Sequence, residues 1–564
     1  MKNKGFTLIE LLAVIVILAI IALIATPTIL GVIEKAKKGS AEQSALGYID
    51  AVEKQVMINE VNGNKIPYEK QNMYTTTELK NIYKVAIKGS EPIGKIEIDS
   101  SGNVVKASLE IGKYYVYYNQ GKVIANKVKS QDYIDFEQRT NYEEAILNGA
   151  VPKIKDDLIP IVIEDNGTVK KANLKNKWYS YQNKEWANAI ILKDKTVSYN
   201  DGDIIPESNI ESYFVWVPKY KYKLFNLENT SKSNTEIEPI SSIAQTIEIE
   251  FGIDSTTDSK KNECTTPLES GQSGNCKVGD YMTHPAFLTL NTTGIWVGKF
   301  ETGYDEAISK ENAQVDSSET SKIIIKPNTY SWRNNTLSNM FIASYNYNRN
   351  LDSHMMKNTE WGAVAYLSHS KYGINSEINI NNNSNYITGY SAVDGINQAG
   401  YPGTFGTDSS ITLPYNTTTG YKASTTGNIT GIYDMSGGNW EYVAAYLNNY
   451  LNDSGFTTKT IGEYDSKYFD VYSISNEPKN RILGDATGEM GPFYSYNKFS
   501  DGIGRSRNHW YLDDAYTVAG SSSWVSSWLA RGGNWYIGVM SGQFSFNRNT
   551  GAKFDYSGFR IVLD

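Results

Sequence analysis

The chain has 564 residues, 40% of them hydrophobic, and a formal net charge of −8. Its length holds roughly two to four domains and its apolar content supports packed cores, which excludes a disordered chain. An acidic chain without a basic stripe is not a general nucleic-acid binder, and 41 Tyr and 11 Trp among many Asn, Ser, Thr and Gly suit an extracellular, strand-and-loop protein with recognition surfaces.

Residues 1–5, Met1-Lys2-Asn3-Lys4-Gly5, form a short basic leader, and Leu11 to Ala25 is an unbroken apolar run. Phe6 to Leu30 is long enough to cross a bilayer as a helix. Its one charge, Glu10, costs about 2.5–3.5 kcal/mol near mid-bilayer unless it is paired. Gly5, Phe6, Thr7, Leu8, Glu10 and the later Pro27 together resemble the class III signal of type IV pilins and pseudopilins. The resemblance implies a prepilin peptidase that cuts between Gly5 and Phe6 and methylates Phe6. It also implies that Glu10 neutralises the amine of a neighbouring pilin subunit, and two charges in apolar surroundings are tolerable only when paired. The expected location is a single-pass membrane anchor that later joins a pilus or the cell surface, with the N-terminal helix as the evident anchor.

Beyond Pro27 the apolar residues Ile29, Ile33, Leu46, Ile49, Val52 and Val56 keep helical spacing, with Glu34, Lys35, Lys37, Glu42 and Glu53 between them. This predicts an assembly helix over residues 6–60, loosened or kinked at Pro27 because proline removes a donor. A small antiparallel β head follows over residues 61–130. Alternation at Lys95–Asp99 and Val104–Leu109, and again at Tyr114–Tyr118 and Lys122–Val128, predicts two hairpins. Gly89-Ser90-Glu91-Pro92-Ile93-Gly94-Lys95 nearly spells a phosphate-binding loop, but Ile96 stands where Ser or Thr is needed and a strand follows, so it reads as a turn. Residues 131–150 read as a linker with a short helix around Tyr142–Leu147.

Residues 151–283 read as an accessory β-rich region, with apolar or aromatic runs at Asp157–Val162, Lys177–Tyr179, Glu185–Asn188 and Phe214–Tyr220. The chain's two cysteines, Cys264 and Cys276, bracket a Gly/Ser/Pro-rich loop, which in an exported chain reads as a disulfide.

Residues 284–564 carry the second ordered motif set. Gly294–Glu301, Asn358–Val364, Gly431–Tyr442, Arg531-Gly532-Gly533-Asn534-Trp535 and Gly558-Phe559-Arg560 occur in series. The series resembles the sulfatase-modifying (formylglycine-generating) family and implies its C-type-lectin-like fold, giving an α+β chain overall. Trp440, Trp535 and Phe559 are expected structural anchors, and Glu441 pairs with Arg531 or Arg560. The family's redox cysteines are absent from the matching stretch, Met540–Asp555, and Gly438 replaces the Asn of its calcium-binding turn. His284, His354, His369 and His509 have no metal-ligand spacing, so no enzyme activity, cofactor or metal is expected. Arg-Gly-Gly-x-Trp, a divergent stretch and Gly-Phe-Arg are also similar to variable proteins of diversity-generating retroelements. That implies a binding face for a surface glycan or protein, with contacts from Tyr536, Phe544, Asn547, Asn549, Lys553 and Asp555, although an ordinary strand pair with one buried face accounts for some of these aromatics. The combined expectation is a minor, tip-located adhesin; the alternatives are an exported formylglycine-generating-type enzyme and a structural pseudopilin.

Overall fold

One helix, α1 (Leu8–Val61), opens the computed structural model. The structure describes residues 7–61, 73–85, 87, 91–99, 102–138, 150–174, 178–224, 244–251, 280–288, 290, 292–393, 412–447, 450–472, 505–506, 510–513, 515–516 and 526–564. The chain divides into two units, Met1–Ala145 and Ile146–Asp564.

In the first unit, α1 continues through Pro27 as one element. Its C-terminal half presents Ala41, Ala45, Tyr48, Ile49, Val52 and Val56, all buried, at the spacing of one helical face. They pack on a five-stranded antiparallel sheet in the order β1 (Met73–Thr75), β2 (Ile93–Ile98), β3 (Val104–Ile111), β4 (Tyr114–Asn119) and β5 (Lys122–Asn126). Helix α2 (Thr76–Tyr83) starts on a Thr75–Glu78 capping box. Three α1 carboxylates reach the sheet: Glu53 accepts from the Val104 N–H at 2.9 Å, Glu42 from the Ala125 N–H at 3.1 Å, and Glu34 from the Tyr114 hydroxyl at 2.7 Å. Both expected hairpins are present, and Gln120 and Gly121 adopt positive φ at the two-residue turn between β4 and β5. The phosphate-loop look-alike ends in β2, with Lys95 and Ile96 paired to Ser108 and Ala107.

The span assigned to the linker begins differently from expectation. Residues 131–138 form α3 (Gln131–Gln138), whose Tyr133 and Phe136 are buried. Tyr133 meets Tyr115 of β4 edge-on at 5.5 Å, and Phe136 meets Tyr117 at 6.3 Å, so this stretch belongs to the head.

The second unit holds two large sheets. The first is antiparallel, in the order His354–Met355, Ile561–Leu563, Gly294–Gly298, then β9 (Ile210–Pro218), β8 (Asn188–Leu192), β6 (Ile159–Ile163) and β7 (Val169–Lys171). The region 151–283 thus supplies half of a shared sheet and is not an appendage to residues 284–564. The second sheet centres on Trp440–Leu447, flanked by Trp528–Gly532 and Ser557–Phe559, with Gly542–Asn549 next to Trp528–Gly532. Helix Asn358–Ser368 is buried on every side, as expected of a helix without a charged face. Trp186, Trp216, Trp296, Trp332, Trp361, Trp510 and Trp528 fill this unit's interior. The chain is therefore α+β: an N-terminal helix, a small sheet, and a large sheet-rich unit.

Gly5, Phe6, His509, the cysteines of the expected Cys264–Cys276 disulfide and the helix expected around Tyr142–Leu147 lie outside the described residues.

Candidate functional site

The sequence points to two places: the start of α1 and the segment between Trp535 and Gly558. At the first, Thr7 caps the helix. Its N–H and hydroxyl donate to the Glu10 carboxylate at 2.9 and 2.8 Å, and the Glu10 N–H donates back to the Thr7 hydroxyl at 3.3 Å. This reciprocal capping box satisfies helix-terminal donors that otherwise lack partners. Around it Leu8, Ile9, Leu11 and Leu12 are exposed, and exposed apolar side chains recur as far as Ile33. A continuous apolar helix surface of this kind is a contact surface. Among the described residues no helix is long and apolar enough to cross a membrane; Phe6 and the side chains of Ile24, Pro27 and Thr28, which belong to the expected span, are not among them.

At the second place, strand Gly542–Asn549 pairs with Trp528–Gly532, setting Ala530 opposite Asn547 and Arg531 opposite Phe546. This changes the expected binding set. Phe544 and Phe546 are 0% exposed. Phe544 packs 5.9 Å from His369 and 6.0 Å from Trp510, so it is core and not a ligand contact. Asn547 and Asn549 are half-buried and turn back on the chain, accepting from the N–H groups of Arg548 and Thr550 at 2.7 Å. Lys553 is exposed and pairs with Asp316 at 3.2 Å.

Tyr536 and Asp555, by contrast, join a cluster that sequence reasoning missed. The Arg333 guanidinium lies 3.8 Å from the centre of the Tyr386 ring, and donates to the Asp555 carbonyl. Tyr386 meets Trp535 edge-on at 6.2 Å, Trp535 meets Tyr536 at 5.4 Å, and Phe554 stacks on Tyr556 at 5.3 Å. Trp535 is only half-buried, so it belongs to this face and is not a core anchor. Burial pushes the Tyr386 phenol up, against the pull of Arg333, and pushes the Tyr556 phenol up as well. Tyr386 is presented by an Asn-built turn: Asn381 accepts from the Asn383 N–H at 3.1 Å and Asn383 from the Asn385 N–H at 2.9 Å. Tyr386 then sits at φ +57, a conformation uncommon for a bulky residue. The run Asn381-Asn382-Asn383 is the signal that was readable, since Asn side chains build such turns.

Behind this face lies a fixed frame. Glu441 pairs with Arg560, not Arg531. The Arg560 Nε donates to Glu441 at 2.9 Å and its Nη atoms donate to the carbonyls of Gly298 and Tyr433 at 2.8 and 3.0 Å, all fully buried. Arg531 instead donates to the Ser545 carbonyl at 2.9 Å and to Asn358 at 2.8 Å. Glu301 accepts from Ser331 at 2.6 Å and from the Asn439 backbone and side chain at 2.8 and 2.6 Å. Asp434 accepts from Asn381 at 2.8 Å and from the Gly389 N–H at 2.9 Å. Burial pushes the Glu301 and Asp434 carboxyls up and carries Glu441 to about 7, Arg560 opposing the rise for Glu441 and Asp434. Gly438 has φ +67, and a Cβ there would stand 2.5 Å from the Glu301 carboxylate. A glycine at this position thus has a physical reason: Glu301 occupies the space a side chain would need. Trp440 is 6% exposed and Phe559 and Arg560 are 0% exposed, as core anchors should be.

Residues 1–26 match the prokaryotic N-terminal methylation motif. The chain therefore carries a type IV pilin-type signal, the substrate of prepilin peptidase processing. No curated protein matches the chain.

Proposed function

We propose that this chain is a minor, tip-located pilin-like surface protein whose distal unit, residues 146–564, is a ligand-binding domain with a C-type-lectin-like fold, and that it acts as an adhesin without catalysis. The observation that carries this reading is the union of two features in one chain. One is a methylation-motif helix whose apolar side chains are exposed from Leu8 to Ile33. The other is a separate large unit with the Arg333, Tyr386, Trp535, Tyr536 and Asp555 face. Partly exposed aromatic side chains such as Trp535 and Tyr536 are among the groups that dominate binding surfaces, and the buried Arg333 positions them. A distal unit of this size opposes close lateral packing along a fibre, which favours a tip position. The helix anchors the precursor in the membrane, prepilin peptidase cuts at Gly5, and Glu10 pairs with the amine of a neighbouring subunit.

The test has two arms. Mass spectrometry of the mature chain should give N-methylated Phe6 as its first residue; any other N-terminus removes the pilin assignment. The purified full chain should be screened against arrayed surface glycans and host-surface proteins, beside Tyr536→Ala. If no arrayed ligand loses binding in the variant, the face is removed from the reading.

A further inference from the structure

A second place in the distal unit has the features of a ligand site. A cleft of about 400 Å³ is lined by three chain segments: Ile161, Ile163 and Asp165 of β6 and its turn; Trp178, Tyr179, Asn183, Glu185, Trp186 and Asn188; and Asn428, Ile429 and Thr430. That volume falls within the roughly 300–1,000 Å³ of small-molecule sites.

Strand pairing sets Ile161 opposite Asn188, and buried and half-buried polar bonds tie the second segment to the third. Lys299, 0% exposed, donates from Nζ to the Asn188 side chain at 2.9 Å and to the carbonyls of Ile429 and Gly431 at 2.7 and 2.8 Å. Asn188 donates to the carbonyls of Trp186 and Thr430 at 2.9 and 2.8 Å. The Thr430 hydroxyl accepts from the Trp186 N–H at 2.9 Å and donates to Asn428 at 2.7 Å, and Asn428 donates to the Lys184 carbonyl at 2.9 Å. A network with its members satisfied holds a rigid floor, and rigidity before binding reduces the cost of binding.

The lining selects the ligand. Among the described residues no Lys, Arg or His lines the cleft, while Asp165 and Glu185 do, a lining that disfavours an anion. Ile161, Ile163 and Ile429 are buried and make an apolar floor. Trp178 is half-exposed and meets Tyr179 edge-on at 4.7 Å and 79°. Tyr179 and Trp186, the other aromatics of the lining, are 3% and 1% exposed, so Trp178 is the lining aromatic with substantial open surface. A quaternary ammonium is best held by several aromatic faces around it, whereas a pyranose ring needs one face for its C–H groups and a rim of acceptors and amides for its hydroxyls. Asp165 and Asn183 supply that rim.

We propose that this cleft binds an uncharged pyranoside, its C–H face on Trp178 and its hydroxyls on Asp165 and Asn183. The site shares no residue with the Tyr386–Tyr536 face and stands or falls independently of it. The test uses the full chain in detergent, with saturation-transfer NMR against methyl glucoside, galactoside, mannoside and N-acetylglucosaminide, and with tetramethylammonium and sulfate as cationic and anionic probes. At least one glycoside should bind saturably. Trp178→Ala should weaken it about tenfold or more, Trp178→Phe much less, and Tyr536→Ala not at all. If Trp178→Ala melts early, Asp165→Asn, at an exposed position, replaces it and should weaken binding severalfold. The proposal is overturned if no glycoside binds up to about 50 mM, if only tetramethylammonium or sulfate binds, or if the cleft variants bind as wild type does.

Discussion

Arg333 lies over Tyr386 with 3.8 Å between its guanidinium carbon and the ring centre, and it does so from a position that is 1% exposed. The pair joins residues 53 positions apart in sequence and sets the geometry of the face that also holds Trp535 and Tyr536. A cation over an aromatic ring contributes roughly 0.5–2 kcal/mol, more when water is excluded. Lysine cannot reproduce the flat stack.

Two substitutions separate face from core. Tyr536→Ala should weaken ligand binding on the array while lowering stability by at most about 1 kcal/mol, because the side chain is half-exposed. Phe544→Ala should cost about 3–5 kcal/mol, the range for a fully buried aromatic. Thermal melting beside the binding screen reads both. A Phe544→Ala protein that melts like wild type but has lost its ligand would return Phe544 to the binding set.

Gly438 and Glu301 make a steric prediction. Because φ is +67 and a Cβ would lie 2.5 Å from the carboxylate, Gly438→Ala combines a left-handed backbone cost with a clash. The expected loss is about 1–3 kcal/mol, and Gly438→Asn, which tolerates the backbone angle, should still destabilise through the clash. Equal melting temperatures for wild type and both variants would mean that Glu301 moves aside freely.

Glu377 carries the pH prediction. Burial pushes its carboxyl up to about 8, and one of its oxygens is buried without a hydrogen-bond partner. A folded-state pKa raised above the unfolded value means that the folded chain holds the extra proton. The associated stability is present below about pH 4.5 and is lost as pH rises through about 8. Glu377→Gln removes the titration. The variant should melt within about 1 °C of wild type at pH 5 and above it at pH 8.5, by roughly 1–2 kcal/mol after allowance for partial exposure. A constant difference across that range would show that Glu377 does not titrate there.

The fold was legible where periodicity is strong. The α1 face from Ile49 to Val56 and the β2–β3 and β4–β5 hairpins follow from local spacing and turn chemistry. The Glu34, Glu42 and Glu53 contacts did not, because a carboxylate between apolar residues reads as solvated until the fold brings the Tyr114 hydroxyl and the Ala125 and Val104 N–H groups within reach. The Glu441–Arg560 pair was legible only as a choice of two: Arg531 stands directly opposite Glu441 in the sheet, yet its guanidinium bonds Ser545 and Asn358 instead. Phe544 was misassigned because strand Gly542–Asn549 is buried at both faces through Phe546, so alternation gives no surface signal. Tyr386 was missed because its importance comes from Arg333 and Trp535, both distant in sequence.

The last prediction concerns Thr7 and Glu10. In the single chain the Glu10 carboxylate accepts from the Thr7 N–H and hydroxyl, a cap worth about 1 kcal/mol to the helix start. Both bonds end on Oε2, so the proposed pairing with a neighbour's amine can use the other oxygen, and the two roles can be separated by substitution. Thr7→Val removes the hydroxyl of the cap but leaves the charge; Glu10→Gln keeps an acceptor for the cap but removes the charge. If neutralising the amine is what Glu10 does, Thr7→Val should enter fibres nearly as well as wild type and Glu10→Gln should accumulate unassembled, each processed at Gly5. The measurement is the ratio of sheared, fibre-borne protein to cell-associated protein, with the mature N-terminus checked by mass spectrometry. Should Thr7→Val fail in assembly as completely as Glu10→Gln, the carboxylate serves the helix start, and the burial argument for its charge falls with it.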